Sequence, residues 1–311
     1  MKHTNLKKSD RLFYFINLFV IYFLFSFLFY FSFKYIVNIW AYSDAFINYS
    51  EGFIRRGMLG ELMLIFSENF SVKPGKFHAS FFMIATMANI LIFAFLLKDY
   101  ITFKLIFVFL LFNPALILFS LYDNGGYLRK ELIFITTSLL HCYFVNTYHK
   151  KIISKKYYLS ILYFLIIPLI IFNILMHELQ YFLLLFHVCL TFNVLFEEIK
   201  FSNLKFIFQK KIFYFLPYIL TIIPLILFYI YPTELSTLEK IYTSISIEDK
   251  AKVAWEPIFH TSNPFLQAVV GETKYMFSFK GNVSFYLTLL VMAIGPIILI
   301  FNYLKKNNCI E

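Results

Sequence analysis

From Leu12 to Phe33 the chain runs without one charged residue, and that stretch alone rules out most folds. A helix rises about 1.5 Å per residue, so roughly 20 apolar residues cross the hydrocarbon core of a bilayer, whereas about 10–14 suffice for a buried core helix. Composition points the same way. Of 311 residues, 60% are hydrophobic and 15% charged, against about 25% charged in soluble chains. A soluble globular domain is excluded. The Lys-rich stretch from Met1 to Arg11 imitates the start of a signal peptide. The apolar run behind it exceeds the roughly 7–15 residues of a signal core and no small-x-small cleavage pattern follows, so a retained first helix is expected.

Hydropathy makes residues 1–311 a single integral membrane domain, an all-α polytopic transmembrane helical bundle of about eight spans. These are Leu12–Ile39, Ala79–Leu97, Leu105–Leu121, Leu132–Tyr148, Tyr157–Met176, Leu179–Phe196, Ile212–Tyr231 and Val283–Leu304. Spans three and four are short, and spans five and six almost continuous, so counts of seven or nine stay open. Pro114, Pro168, Pro217, Pro224 and Pro296 fall inside spans, where they imply kinks. Cys142, Cys189 and Cys309 lack metal or redox spacing. They fall in spans or on the expected cytoplasmic side, so no disulfide is expected.

Loop charge sets the orientation. With the N-terminus inside, the inner segments hold 16 of the 28 basic residues and five of the 18 acids, leaving 12 and 13 outside. This satisfies the positive-inside rule and puts both termini in the cytoplasm of a bacterial inner membrane. The net charge of +10 punctuates spans instead of forming one basic patch, which argues against nucleic acid as a partner. Two periplasmic loops are large, 40–78 and 232–282. In the first, Ile54, Met58, Leu59, Leu62, Ile65 and Phe66 recur at helical spacing opposite Glu51, Arg55 and Glu61. That pattern predicts an amphipathic helix lying on the membrane surface or plugging back toward the spans. The second loop is polar and mixed in charge.

Arginine is the sharpest chemical signal. Lysine is the default cation here, since Arg11, Arg55, Arg56 and Arg129 are the only arginines among the 28 basic residues. Three of those four lie in outer loops, where topology does not call for them. Arginine offers a permanently charged planar fork to phosphate or carboxylate. An anion gripped at the outer face is one reading; a brace such as Glu51 with Arg55 at i, i+4 is the other.

Short polar clusters surround these arginines. The first holds Asp44, then Glu51, Arg55, Arg56, Gly57, Gly60 and Glu61, the glycines leaving room for a backbone or headgroup. The second runs Asp123-Asn124-Gly125-Gly126-Tyr127-Leu128-Arg129-Lys130-Glu131, directly ahead of span four. The third is His177-Glu178, in a connection too tight to leave the membrane surface. Ionisable groups at such depth tend to be functional or paired. A zinc HExxH site would need histidine at position 181, which is Tyr181. His187 lies mid-span and reads as a packed core histidine. His260 and Glu256 are candidates by position only.

Arginines, carboxylates and a histidine converging on one face suit glycosyl transfer from a polyprenyl (di)phosphate. Arg55, Arg56, Arg129 and Lys130 would bind the phosphates, with Asp123 and Glu131 in support. Asp44, Glu51, His177 and Glu178 are the candidate acids and bases for the acceptor hydroxyl. No metal site and no firm cofactor is expected, beyond a weakly held divalent cation near Asp44. The runs GFIRRGMLGE and DNGGYLRKE, followed by HE at an outer helix junction, resemble integral-membrane proteins of bacterial surface-polysaccharide clusters, the O-antigen and capsule polymerases and related transferases. The architecture is also similar to the GT-C class. That resemblance implies a catalytic acid in the first outer loop, with Asp44 at the matching position, although Ala45 and Phe46 interrupt the paired acidic motif. It implies a polymerase, or else a GT-C transferase using a polyprenyl-phosphate sugar. The partners would be a polyprenyl-linked oligosaccharide and the bilayer, together with a chain-length regulator. A flippase or transporter, which would place ionisable groups at the bilayer midplane, and a non-catalytic membrane subunit are the competing classes.

Overall fold

A computed structural model describes residues 42–43, 45–97, 130–196 and 212–245. Every element among the described residues is helical. In chain order they are α1 (Met58–Phe70), α2 (Pro74–Leu97), α3 (Glu131–His149), α4 (Lys155–Ile161), a π-helical turn (Leu162–Ile166) and α5 (Ile167–Met176). After a 3-10 turn (Glu178–Leu183) come α6 (Leu184–Phe196) and a segmented path through α7 (Leu216–Ile219) and α8 (Ile223–Ile230) to α9 (Leu235–Ser244). Spans one, three and eight and most of the 232–282 loop lie outside the described residues.

Two stretches, Pro74–Phe93 and Lys155–Met176, are long and apolar enough to cross a membrane. A third qualifies if Leu216–Ile230 and Leu235–Ser244, bent by 99°, count together. α3 is as long but too polar to qualify on composition, with Thr136, Thr137, Ser138, His141, Asn146 and Thr147 along it. Thr136, Thr137, His141 and Thr147 have hydrogen-bond partners inside the bundle. Ile84, Leu91 and Phe95 on α2, Phe164 on the π turn, Leu185 on α6 and Tyr229 on α8 are exposed, the apolar exterior that lipid covers.

The prolines act where the sequence puts them. Pro168 has no N–H to offer the carbonyl of Phe164 and its ring crowds the preceding turn. The helix widens to π geometry at Leu162–Ile166 just before it. Pro217 and Pro224 each sit in the first turn of a fresh α segment, where the missing N–H costs nothing. At the end of α3, Lys151 takes φ 58 while its N–H reaches Tyr148 O at 2.8 Å and Ile152 N–H reaches Thr147 O at 3.0 Å. That left-handed cap closes the turn into α4, which Ser154 starts by accepting from Tyr157 N–H.

Two apolar clusters divide the bundle by height. One gathers Tyr42, Ile47, Ile54, Leu59 and Met63 with Phe82 of α2, Leu132 and Ile133 of α3, Met176 of α5 and Leu238 and Ile241 of α9. We call this end the cap. The other holds Val145, Tyr158, Leu162, Ile166, Ile170, Val194, Tyr218 and Phe228. α9 was not expected, because the 232–282 loop read as merely polar. Leu238, Ile241 and Ile245 nevertheless recur at helical spacing and are buried against the first loop, a one-sided stripe.

Candidate functional site

The cap is built on the first outer loop, and the loop is held by its own backbone. Ala45 N–H and Phe46 N–H close turns onto Tyr42 O and Ser43 O, each at 3.1 Å. Asn48 braces its neighbours from both ends of its amide, donating to Phe46 O and accepting from Ser50 N–H, each at 2.9 Å. Glu61 of α1 reaches back to accept from Tyr49 N–H at 3.0 Å. Burial and then the adjacent Glu61 charge push the Tyr49 phenol well above its ordinary range, so it stays protonated. Phe53 stacks on Phe228 with ring centroids 5.7 Å apart, tying the loop to α8.

The predicted amphipathic helix is shorter than its pattern. It begins at Met58, and residues 45–57 form turns instead. Arg56 is the reason: its φ of 69 is left-handed and ends any helical path running into α1. Arg55 therefore does not lie on a wet polar face. It is 3% exposed, Arg56 8% and Lys130 4%. Gly60 does permit the close approach its position suggested, but the visitor is this chain's own backbone. A Cβ there would overlap Ile47 O and sit 2.8 Å from Ala45 O.

These cations share one end of the molecule. Ile54, beside Arg55, packs in the same cluster as Leu132, two residues from Lys130, and Met176, beside His177. Lys130 occupies the N-cap position of α3, a place where the helix dipole already concentrates positive charge. Glu131, in the first turn, is exposed. His177 is half-buried in an extended link whose N–H bonds Asn173 O at 2.9 Å. Glu178 opens the 3-10 turn that follows. Glu51 is exposed and meets Lys240 of α9 at 3.5 Å, so it borders the solvent and not the buried cations. Asp44, Asp123 and Arg129 lie outside the described residues, as do Glu256 and His260.

Of three further buried polar residues at this end, His78 and Gln180 escaped the sequence reading, whereas Ser43 lies in the first polar cluster beside Asp44. His78 is buried between Tyr42 and Phe82, with centroid distances of 5.7 and 4.8 Å. Ser43 is buried as well. Gln180 is buried with neither side-chain polar atom hydrogen-bonded. Its signal was weak, a glutamine two residues past Glu178 in a turn too short to judge by periodicity. Among the described residues no group of three or more His, Cys, Asp or Glu could hold a metal ion.

Below the cap the buried polar side chains among the described residues include no Asp, Glu, Lys or Arg. Thr137 donates to Ile133 O at 3.1 Å and accepts from Asn173 Nδ2 at 2.8 Å, joining α3 to α5. Deeper still, His141, Tyr158, His187, Thr191 and Tyr218 form a buried chain. His187 is thus a member of a polar network and more than a packed core residue. No known protein family, curated protein or solved structure matches the chain.

Proposed function

We propose that this chain is a membrane glycosyltransferase of the polymerase kind. It extends a polyprenyl-diphosphate-linked glycan, an O-antigen or capsular polysaccharide, at the periplasmic face of the inner membrane. One observation carries the reading: Arg55, Arg56 and Lys130 are all withdrawn from water at one end of an apolar bundle. A diphosphate on an isoprenoid needs both features, cations for its head and an apolar wall for its tail. The planar forks of the two arginines suit a phosphate head.

In this scheme Arg55 and Arg56, with Arg129 and Lys130, neutralise the departing diphosphate, a contribution of several kcal/mol in such settings. His177 or Glu178 takes the proton from the attacking hydroxyl as the new glycosidic bond forms. Glu51, exposed beside Lys240, lies away from the buried cations and is not the base in this scheme, and Asp44 keeps the place the GT-C resemblance gives it. The test is complementation of a null strain with Arg55→Lys, Arg56→Lys and Glu178→Gln, reading glycan chain length on a gel. Lysine keeps the charge and loses the fork, so long chains should fall at least tenfold with protein levels unchanged. Normal long chains from all three variants would overturn the reading.

A second reading, a glycan flippase or transporter, is favoured by the His141–His187 contact within the helices. The same gel separates the two. Single repeat units still reaching the surface point to the polymerase; loss of all surface glycan points to transport.

A further inference from the structure

Five side chains from four helical segments close a ring of hydrogen bonds inside the bundle, and the ring has one self-consistent direction. Tyr218 Oη donates to the His187 backbone carbonyl at 3.0 Å. A tyrosine has one hydroxyl proton, so at the 2.7 Å contact between Tyr218 and Thr191 the threonine donates. Thr191 has then spent its own proton, and Tyr158 donates to it across the longest link, 3.4 Å. Tyr158 must therefore accept from His141 Nε2 at 2.8 Å. A neutral His141 protonated at Nε2 has a bare Nδ1, so His187 Nδ1–H donates to it at 2.9 Å.

The two imidazole planes differ by 9°, with centroids 5.2 Å apart. The nitrogens are much closer than the centroids, so the rings meet edge to edge in a common plane, as an N–H···N bond requires. The chain leaves the side chain of His187 and returns to its backbone carbonyl, and every proton is used. One atom remains. His187 Nε2 is buried and makes no hydrogen bond, and in this direction it carries a lone pair. The opposite direction would strand an N–H at that atom and leave no proton between Tyr158 and Thr191. An orphaned buried donor is the rarer and costlier outcome.

We infer that His187 Nε2 is a proton-binding site inside the bundle, with its lone pair fixed in place by the ring. One proton enters, one N–H bond forms at Nε2, and nothing leaves. The shared Nδ1 proton then lets the charge spread onto His141. The surroundings suit a proton better than a metal ion, since a single free nitrogen flanked by Phe134 and Phe186, at centroid distances of 6.4 and 5.6 Å, is no coordination site. Among the described residues, the other titratable groups on the elements packed here include the Tyr148, Tyr158, Tyr163, Tyr181 and Tyr218 phenols, the half-buried Cys142 and exposed Cys189 thiols, and His149, which bonds Asn193 Oδ1. Among the described residues, α3 after Glu131, the stretch from Tyr157 to Met176, α6 and the path from Ile212 to Ile230 hold no Asp, Glu, Lys or Arg. Lys155 and Lys156 open α4 ahead of Tyr158, and no carboxylate on the segments just named competes for the proton. The inference does not depend on glycosyl transfer.

The test is 15N NMR of the full chain in detergent micelles with labelled histidine. The two rings are recognised by 15N–15N coupling across their hydrogen bond and assigned with His141→Gln. At neutral pH the donor ring should be His187 with an unprotonated Nε2, and acidification should protonate that nitrogen while the fold persists. Tyr218→Phe, a milder change, should release the direction and give a mixture of His187 tautomers. An Nε2–H on His187 at neutral pH overturns the inference. So does an Nε2 that stays bare until the protein unfolds, or a Tyr218→Phe protein with an unaltered His187 tautomer.

Discussion

The cap and the bundle interior both bury polar side chains, but they bury different kinds. At the cap the buried groups include the charges of Arg55, Arg56 and Lys130, set in turns that Asn48 and Glu61 tie together. In the interior they are neutral: Thr137 with Asn173, and the ring from His141 to Tyr218. The solvents on either side explain the division. Near the membrane surface water and headgroups lie close, so a cation can be withdrawn at bearable cost. In hydrocarbon a charged side chain costs at least about 2.5–3.5 kcal/mol, while a neutral hydrogen bond between helices contributes about 0.6 kcal/mol on average. The driving forces differ too. The part of the cap cluster that lies outside the candidate spans, in the first loop, α1 and α9, leaves water, and each fully buried Leu, Ile or Met there contributes roughly 1.5–3 kcal/mol. Helices already in lipid gain little from apolar burial, so close packing and hydrogen bonds must hold them.

The most damaging way to break this contrast is at Gly60. Alanine in a helix ordinarily gains about 1 kcal/mol over glycine. Here its Cβ meets the carbonyls of Ile47 and Ala45, which belong to the turns carrying Arg55 and cannot rotate away as a side chain end could. Gly60→Ala should therefore lower stability by about 3 kcal/mol, at the upper end for overpacking. Thermal unfolding in detergent checks the loss, and limited proteolysis should place the first cuts in the 45–57 turns. A neutral or stabilised variant would show that the close approach is absent.

The interior should respond less. Thr191→Val removes the central hydroxyl of the ring and strands the Tyr158 proton, a loss of about 1–2 kcal/mol. Thr191→Ser, which keeps the hydroxyl, should recover most of it. The reading is unfolding by SDS titration, with cap proteolysis unchanged. If valine and serine are equally harmful, the site matters for shape and the ring is not a hydrogen-bonded unit.

How far each region was legible in the sequence follows from the same physics. The helical class and the breaks at Pro168, Pro217 and Pro224 came through because apolar length and missing N–H groups act locally. The importance of Arg55 and Arg56 was visible in their rarity, but their burial was not. Periodicity put Arg55 on an exposed face, and only the left-handed backbone at Arg56, a single-residue event, turned it inward. The interior network was legible in part. Lys130, Phe134, Thr137 and His141 recur at spacings of four, three and four, one face of α3. What the spacing could not supply was the partner helix. His187 lies 46 residues from His141, and such pairings are fixed by packing. α9 was missed for a simpler reason, since a ten-residue helix in a polar, loop-like stretch gave only a few apolar positions at helical spacing.

The smallest effect should come from the surface of the cap. Glu51 and Lys240 meet at 3.5 Å with both side chains exposed. Water screens such a pair and two long side chains lose freedom in forming it, so its contribution is about 0–1 kcal/mol and falls with added salt. Glu51→Gln should shift stability by no more than about 0.5 kcal/mol, and Lys240→Gln should add nothing to it in the double variant. Under the proposed transfer, glycan chain length should stay normal, because this carboxylate faces solvent beside α9. A Glu51→Gln strain that made only short chains, with the protein stable and present at normal levels, would make Glu51 the base of the proposed transfer. It would also erase the distinction between a buried, charged working face and a merely decorative rim.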